Sequence, residues 1–211
     1  MGYRKSKMKD FSDLNDFSSF EKYMLCKYLI GLIDILEINR YEFNMYYEKL
    51  IYVLNLDIKT CPKNIQGYDF RDKKEQKFKN DFKNLLIKHI NNFSVRKNIF
   101  IKKINLISNF YDLSDYEHEY FLYYVLREIN PLIERLDHFY SCETKIFPIF
   151  GIKVLKLKNW ETSQISKQLV AKGIFIKRGI YDEKVFLNSK TMQIMSDNKI
   201  KTNKQIKNIL L

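Results

Sequence analysis

The sequence predicts a mostly α-helical protein: a helical bundle followed by a winged-helix-like module, in which a two-stranded β-hairpin (the wing) follows a helix. Apolar residues recur at helical spacing through most of the 211 residues, and only three prolines interrupt them. Residues 174–188 instead show two short apolar runs separated by a turn. We therefore expect a helical domain at 12–111, a winged-helix-like domain at 112–198, and at 199–211 a C-terminal helix or a linker to a missing downstream domain.

The composition is that of a folded, basic protein. Hydrophobic residues make up 45% of the chain, and 16 Phe and 15 Tyr supply enough bulk for a core. The formal net charge of +12 fits a nucleic-acid or other acidic partner. A chain rich in Lys, Asn and Ile is also what an AT-rich genome encodes without selection for DNA binding. The net charge alone therefore leaves both interpretations open.

Cysteine usage and hydropathy indicate a cytoplasmic protein that does not enter a membrane. Cys26, Cys61 and Cys142 are far apart, odd in number and form no CxxC pair, so the sequence indicates neither a zinc knuckle nor a disulfide framework and favours reduced thiols. The most apolar run, residues 23–38, contains three charged side chains and is shorter than the ~20 apolar residues that span a bilayer. No secretory signal follows the basic N-terminus.

Two capping boxes begin the first pair of helices. Ser18 with Glu21, and Asn39 with Glu42, have the spacing at which each side chain bonds the backbone N–H of the other. The short link between these helices predicts an antiparallel hairpin. The apolar positions behind the caps are Tyr23, Leu25, Cys26, Leu29, Ile30, Leu32, Ile33 and Leu36, then Phe43, Tyr46, Tyr47, Leu50, Ile51, Val53 and Leu54.

Residues 55–70 have no steady period and predict a loop. Asp72 then opens a long helix, and Ser94 caps another. The next helix start is Ser114 with Glu117, another capping box. Pro131 follows within its apolar pattern and either kinks that helix or ends it near Ile129.

The winged-helix prediction rests on residues 162–188. A helix from Thr162 to Lys172 meets a glycine stop at Gly173, and an apolar strand (IFIKR), a turn (GIYDE) and a return strand (KVFLN) follow. Asn188 and Ser189 then cap a short helix at 189–196, and Thr202 caps a last one at 204–211.

The predicted helix at 162–172 buries Ile165 and Leu169, with Val170 beside them. Its outward residues are suited to nucleic acid, because Lys binds phosphates whereas Gln and Ser bind base edges. Such residues are also ordinary on any solvated helix, and the same fold serves protein binding. The candidate nucleic-acid contacts are Ser163, Gln164, Lys167, Gln168 and Lys172 on the helix, and Lys177, Arg178 and Lys184 on the wing.

No motif predicts catalysis, a cofactor or a metal site. His118-Glu119 begins an HExxH pattern, but Leu122 occupies the second histidine position. His138 and Cys142 provide two ligands where a structural zinc site needs four. We interpret His89 as a core histidine. No phosphate-binding loop, GxGxxG or nucleophile elbow is present, so we do not expect an enzyme.

Two stretches resemble the region upstream of the ATPase module in certain prokaryotic AAA-type ATPases. One is Leu113-Ser-Asp-Tyr-Glu117 before an apolar helix. The other runs from Ile152 to Met195, where LVAKGIFIKRG, a short wing and FLNSK lead into TMQIM. The resemblance implies a non-catalytic N-terminal piece of a larger ATPase, and no nucleotide-binding residue of that family has a counterpart here.

Two functions follow as expectations. The first is a non-enzymatic recognition or regulatory domain of a AAA-type ATPase, which docks a protein partner or the downstream ATPase module. The alternative is a winged-helix DNA-binding transcriptional regulator that reads DNA with residues 162–172.

Overall fold

The computed structural model describes residues 17–36, 38, 41–63, 72–93, 95, 99–136, 139, 153–177, 185–197, 199–200 and 202–211. These residues are mostly helical, as the sequence predicts. No helix among them is both long and apolar enough to cross a membrane. The elements are α1 (Ser19–Leu32), α2 (Tyr41–Val53), α3 (Asp72–His89), α4 (Ile99–Phe110), α5 (Asp115–Ile129), α6 (Pro131–Leu136), α7 (Asn159–Ala171), β1 (Phe175–Lys177), β2 (Val185–Leu187), α8 (Ser189–Ser196) and α9 (Asn203–Leu210), with 3₁₀ turns at Ile33–Ile35 and Ile90–Asn92.

Capping side chains begin the helices where the sequence predicts. Ser18 and Glu21 form a complete capping box before α1, and Ser114 and Glu117 form one before α5. At α8 the Asn188 side chain accepts a hydrogen bond from the Lys190 backbone N–H at 2.8 Å. Asn39 and Ser94, the other predicted caps, lie outside the described residues.

Asn130 separates α5 from α6. Its backbone is extended (φ −117°, ψ 106°), and its buried side-chain oxygen accepts from the N–H groups of Leu132 and Ile133 at 3.0 and 3.1 Å. Pro131 therefore occupies the first position of a new helix, where its missing N–H costs no hydrogen bond. The sequence predicts that Pro131 either kinks the helix or ends it near Ile129. The second outcome is the one observed, because α5 ends at Ile129.

The predicted start of α7 at Thr162 is wrong by three residues. The helix begins at Asn159 because the Glu161 carboxylate accepts the Lys158 backbone N–H at 2.6 Å, which is the N3-to-cap half of a capping box. Thr162 lies inside the helix and is buried. Because the helix starts at Asn159 and not at Thr162, it also contains Trp160.

Aromatic side chains fill the centre of the bundle. Phe43 of α2 lies 6.3 Å from Phe78 of α3 and 5.4 Å from Phe139, measured between ring centroids. The Tyr46 hydroxyl donates to the Leu132 carbonyl oxygen at 2.8 Å. Helix α1 packs mainly against α3 and the turn at Ile90–Asn92, and less against α2, its partner in the predicted hairpin.

Packing joins the two halves of the chain. Lys103 of α4 is buried, and its ammonium donates to the carbonyl oxygens of Met195 and Asp197 at 3.2 and 2.6 Å, where α8 ends. Tyr28 of α1 meets Tyr123 of α5 edge to face, with centroids 5.2 Å apart. The hydrophobic core therefore continues across the boundary predicted between residues 111 and 112.

Strands β1 and β2 follow α7 and pair in antiparallel register, with Phe175 opposite Leu187 and Ile176 opposite Phe186. Gly173 ends the preceding helix with φ +73°, a conformation that glycine adopts without steric cost. Residues 178–184, which join the strands, lie outside the described residues. The assignment of this region to the winged-helix class stays a prediction.

Candidate nucleic-acid interface

Helix α7 divides into a buried face and an exposed face. Ile165 and Leu169 are buried, as the sequence predicts, and they anchor the helix on the core. Four of the five predicted contacts on this helix are exposed. We call the exposed side of the helix the α7 outer face; it consists of Trp160, Ser163, Gln164, Lys167, Gln168 and Ala171.

Trp160 belongs to the α7 outer face but was not among the predicted contacts. It is the single tryptophan of the chain and is 61% exposed. At about 100° per residue, Trp160 and Lys167 project within about 20° of each other, opposite Ile165 and Leu169. Sequence reasoning missed Trp160 because the predicted helix began at Thr162. Its spacing of four residues from Gln164 and seven from Lys167 is the signal that identifies it.

Lys172, the fifth predicted contact on α7, is not part of the outer face. It is half-buried, and its ammonium donates to the Asp112 carbonyl oxygen at 2.8 Å and to Glu117 Oε2 at 2.9 Å. The pair joins the C-terminal end of α7 to the first turn of α5, so both charges complement the helix dipoles. Lys172 therefore holds α7 in place, and its charge is already paired.

The Glu117 carboxylate is the buried member of this pair, with 3% of the residue exposed. Burial acts to raise its pKa, but hydrogen bonds from Ser114 and Lys172 outweigh burial and hold the pKa below its usual value. Glu117 is therefore ionised at neutral pH and keeps Lys172 in place.

The wing contacts are less fully described. Lys177 lies in β1, but its side chain falls outside the described residues, as do Arg178 and Lys184 entirely. Their part in an interface stays a prediction. Ile176 of β1 is described and is 40% exposed, so β1 also presents an apolar side chain to solvent.

Positive charge is concentrated in the segment that contains α7. Residues 153–211 contain 13 Lys and Arg against four Asp and Glu, whereas residues 1–152 contain 24 against 21. Lys153, Lys156 and Lys158, just before α7, are exposed. Glu161, the acidic residue nearest to them in the sequence, accepts the Lys158 backbone N–H. The net charge of +12 therefore comes mostly from residues 153–211, an asymmetry that is visible in the sequence.

His89 and His118 both have hydrogen-bond partners within the fold. His89 is half-buried, at the edge of the core and not within it as predicted, and its Nε2 donates to the Leu54 carbonyl oxygen at 2.6 Å. His118 Nδ1 is hydrogen-bonded to the buried Ser108 hydroxyl at 2.8 Å. Within the described ranges, no three His, Cys, Asp or Glu side chains cluster so that they could hold a metal ion. His138 and Cys142 lie outside those ranges.

Burial gives His118 a predictable effect on stability. Burial lowers its pKa below the usual 6.5; Glu119 and Asp115 oppose the shift, and Lys27 adds to it. Between the folded and unfolded pKa values the unfolded chain binds more protons, so lowering the pH favours unfolding. We expect the unfolding free energy to fall between pH 7.0 and 5.5, and to fall less in His118→Gln. Urea titrations at both pH values test this; equal losses in both proteins would contradict it.

No protein-family model, curated protein or solved structure matches the chain. The resemblance to the pre-ATPase region of AAA-type ATPases therefore rests on the residues quoted for it.

Proposed function

We propose that this protein is a non-catalytic recognition module that binds nucleic acid, with α7 as its recognition helix. The observation that carries the proposal is the charge of the α7 outer face and of the segment around it. This face contains no acidic side chain, and it lies in the segment with 13 basic and four acidic residues. The sequence alone favours docking within a AAA-type ATPase as the first expectation. The charge distribution instead favours the nucleic-acid-binding alternative, and we place it first.

An AT-rich genome does not account for this distribution. The same codon bias acts on residues 1–152, which are close to neutral at 24 basic against 21 acidic residues. A bias in codon usage raises lysine throughout a chain and does not remove Asp and Glu from one end. A local excess of Lys is instead what attracts a polyanion and releases its counterions on binding.

The chemistry of the α7 outer face suits this ligand. Lys167 provides a phosphate contact, and the Gln164 and Gln168 amides each carry a donor and an acceptor for base edges. Because the Lys172–Glu117 pair and the buried Ile165 and Leu169 hold α7, these side chains project from a fixed helix. A fixed recognition helix avoids the entropy cost of ordering its backbone on binding.

The test is the salt dependence of binding. We expect a fluorescently labelled 20-base-pair duplex, or its separated strands, to bind the full chain at about 50 mM salt, with affinity falling steeply as salt rises. Lys167→Ala removes one phosphate contact, so the slope of log K against log[salt] should become shallower by about 0.7–0.9. Fluorescence anisotropy measures both quantities.

Lys88→Ala is the matched control, because it removes an exposed lysine from α3. It should leave the slope unchanged. Absence of binding to duplex and single strands alike, or binding that does not depend on salt, would overturn the proposal.

A second candidate is docking of a protein partner as part of a AAA-type ATPase. The exposed Trp160 and Ile176 favour it, because large apolar side chains, tryptophan above all, dominate the binding energy of protein interfaces. The test is the reading frame that encodes this chain. A phosphate-binding loop encoded in frame after Leu211 would support the ATPase assignment, and a stop codon there would count against it.

A further inference from the structure

Binding to a DNA duplex does not account for the exposure of Trp160 on the α7 outer face. Its indole is 61% exposed in the first turn of the helix, while Leu157 and Thr162 on either side of it in sequence are buried. The chain thus leaves its single tryptophan in water beside positions that face the core. Lysine and glutamine side chains suffice for phosphates and base edges, and neither contact needs a flat apolar ring.

The surroundings of Trp160 indicate the kind of group that its ring receives. Lys158 lies immediately before α7, and Lys167 lies two turns along the same stripe, about 10 Å away. Gln164 lies between Trp160 and Lys167. An aromatic face flanked by ammonium groups and an amide is the arrangement that binds a base between two backbone phosphates.

A base in the interior of a duplex is stacked on both faces and offers only its edges in the grooves. Among nucleic acids, the face of the Trp160 ring can therefore be covered only by a base that is unpaired. We infer that the α7 outer face prefers nucleic acid with unpaired bases, and that Trp160 stacks on one of them. This inference rests on the proposed nucleic-acid function and names its ligand class.

The test uses the chain's own tryptophan as a reporter. Since Trp160 is the single tryptophan, all indole emission comes from the proposed contact. We expect a 16-nucleotide single strand to quench this emission because of ring stacking, and the blunt 16-base-pair duplex of the same sequence to leave it largely unchanged. Anisotropy of labelled oligonucleotides, measured in parallel at about 50 mM salt, should give tighter binding of the single strand.

Variants separate stacking from charge. Trp160→Ala should weaken binding of the single strand about 10-fold and leave duplex binding nearly unchanged, whereas Trp160→Phe keeps an aromatic face and should stay within about threefold of the wild type. Tyr116→Ala, which removes an exposed aromatic ring from α5, is the matched control and should change neither affinity. Circular dichroism checks that each variant is folded.

The outcomes distinguish the two proposals. Salt-dependent binding with no quenching, or an equal loss of single-strand and duplex affinity in Trp160→Ala, overturns the stacking inference and leaves the nucleic-acid function intact. Absence of binding to every oligonucleotide overturns both.

Discussion

Phe43→Ala should lower the free energy of unfolding by about 4 kcal/mol, the middle of the range for removing a buried phenylalanine. The side chain is fully buried, and its ring contacts those of Tyr47, Phe78 and Phe139, with centroids 6.3, 6.3 and 5.4 Å apart. Alanine at this position loses the transfer free energy of the ring and leaves a cavity among aromatic neighbours that α2 and α3 hold in place.

Urea unfolding followed by far-ultraviolet circular dichroism measures this loss. Ile87→Ala removes a large apolar side chain from α3, but that side chain is 46% exposed, so its cost should stay near 0.5 kcal/mol. If the two variants lose the same free energy of unfolding, Phe43 is not packed in a core shared by α2 and α3.

Lys103→Met should lower the free energy of unfolding by about 2–3 kcal/mol. The lysine is 2% exposed, and its ammonium is a donor to two carbonyl oxygens at the C-terminal end of α8. Methionine fills a similar volume but provides no donor, so those carbonyls lose charge-assisted hydrogen bonds. Burial already lowers the pKa of Lys103, with Asp197 opposing the shift, and relief of this desolvation offsets part of the loss.

Lys102→Met is a close control, because the adjacent lysine on α4 is exposed. Its cost should stay within about 0.5 kcal/mol. If both variants unfold at the same urea concentration with the same slope, the contact between Lys103 and α8 contributes nothing to stability.

Local signals allowed the helix starts to be predicted. The boxes at Ser18 and Ser114 involve side chains three residues apart, and that spacing is visible in the sequence. The start of α7 was misplaced because Lys158, which precedes it, is not one of the residues that usually cap helices. Only the Glu161 half of that box was present to be recognised.

The candidate interface was predictable to the extent that it depends on helical period. Ser163, Gln164, Lys167 and Gln168 face solvent because Ile165 and Leu169 face the core. Lys172 has the same local character, but its partner Glu117 lies 55 residues away in the sequence. Pairings at such separations depend on how helices pack, and no local spacing encodes them.

The β1–β2 pair is anchored on two different helices of the bundle. On β1, the Phe175 ring packs on Tyr124 of α5 at a centroid distance of 4.7 Å. Strand β2 continues through Asn188 into α8, whose far end Lys103 ties to α4. Mechanical load on this pair is consequently divided between α4 and α5. Tension on β1 therefore acts first on its ring contact with α5, and tension on β2 acts on the hydrogen bonds between α8 and α4, so pulling the pair off the bundle requires both sets of contacts to break.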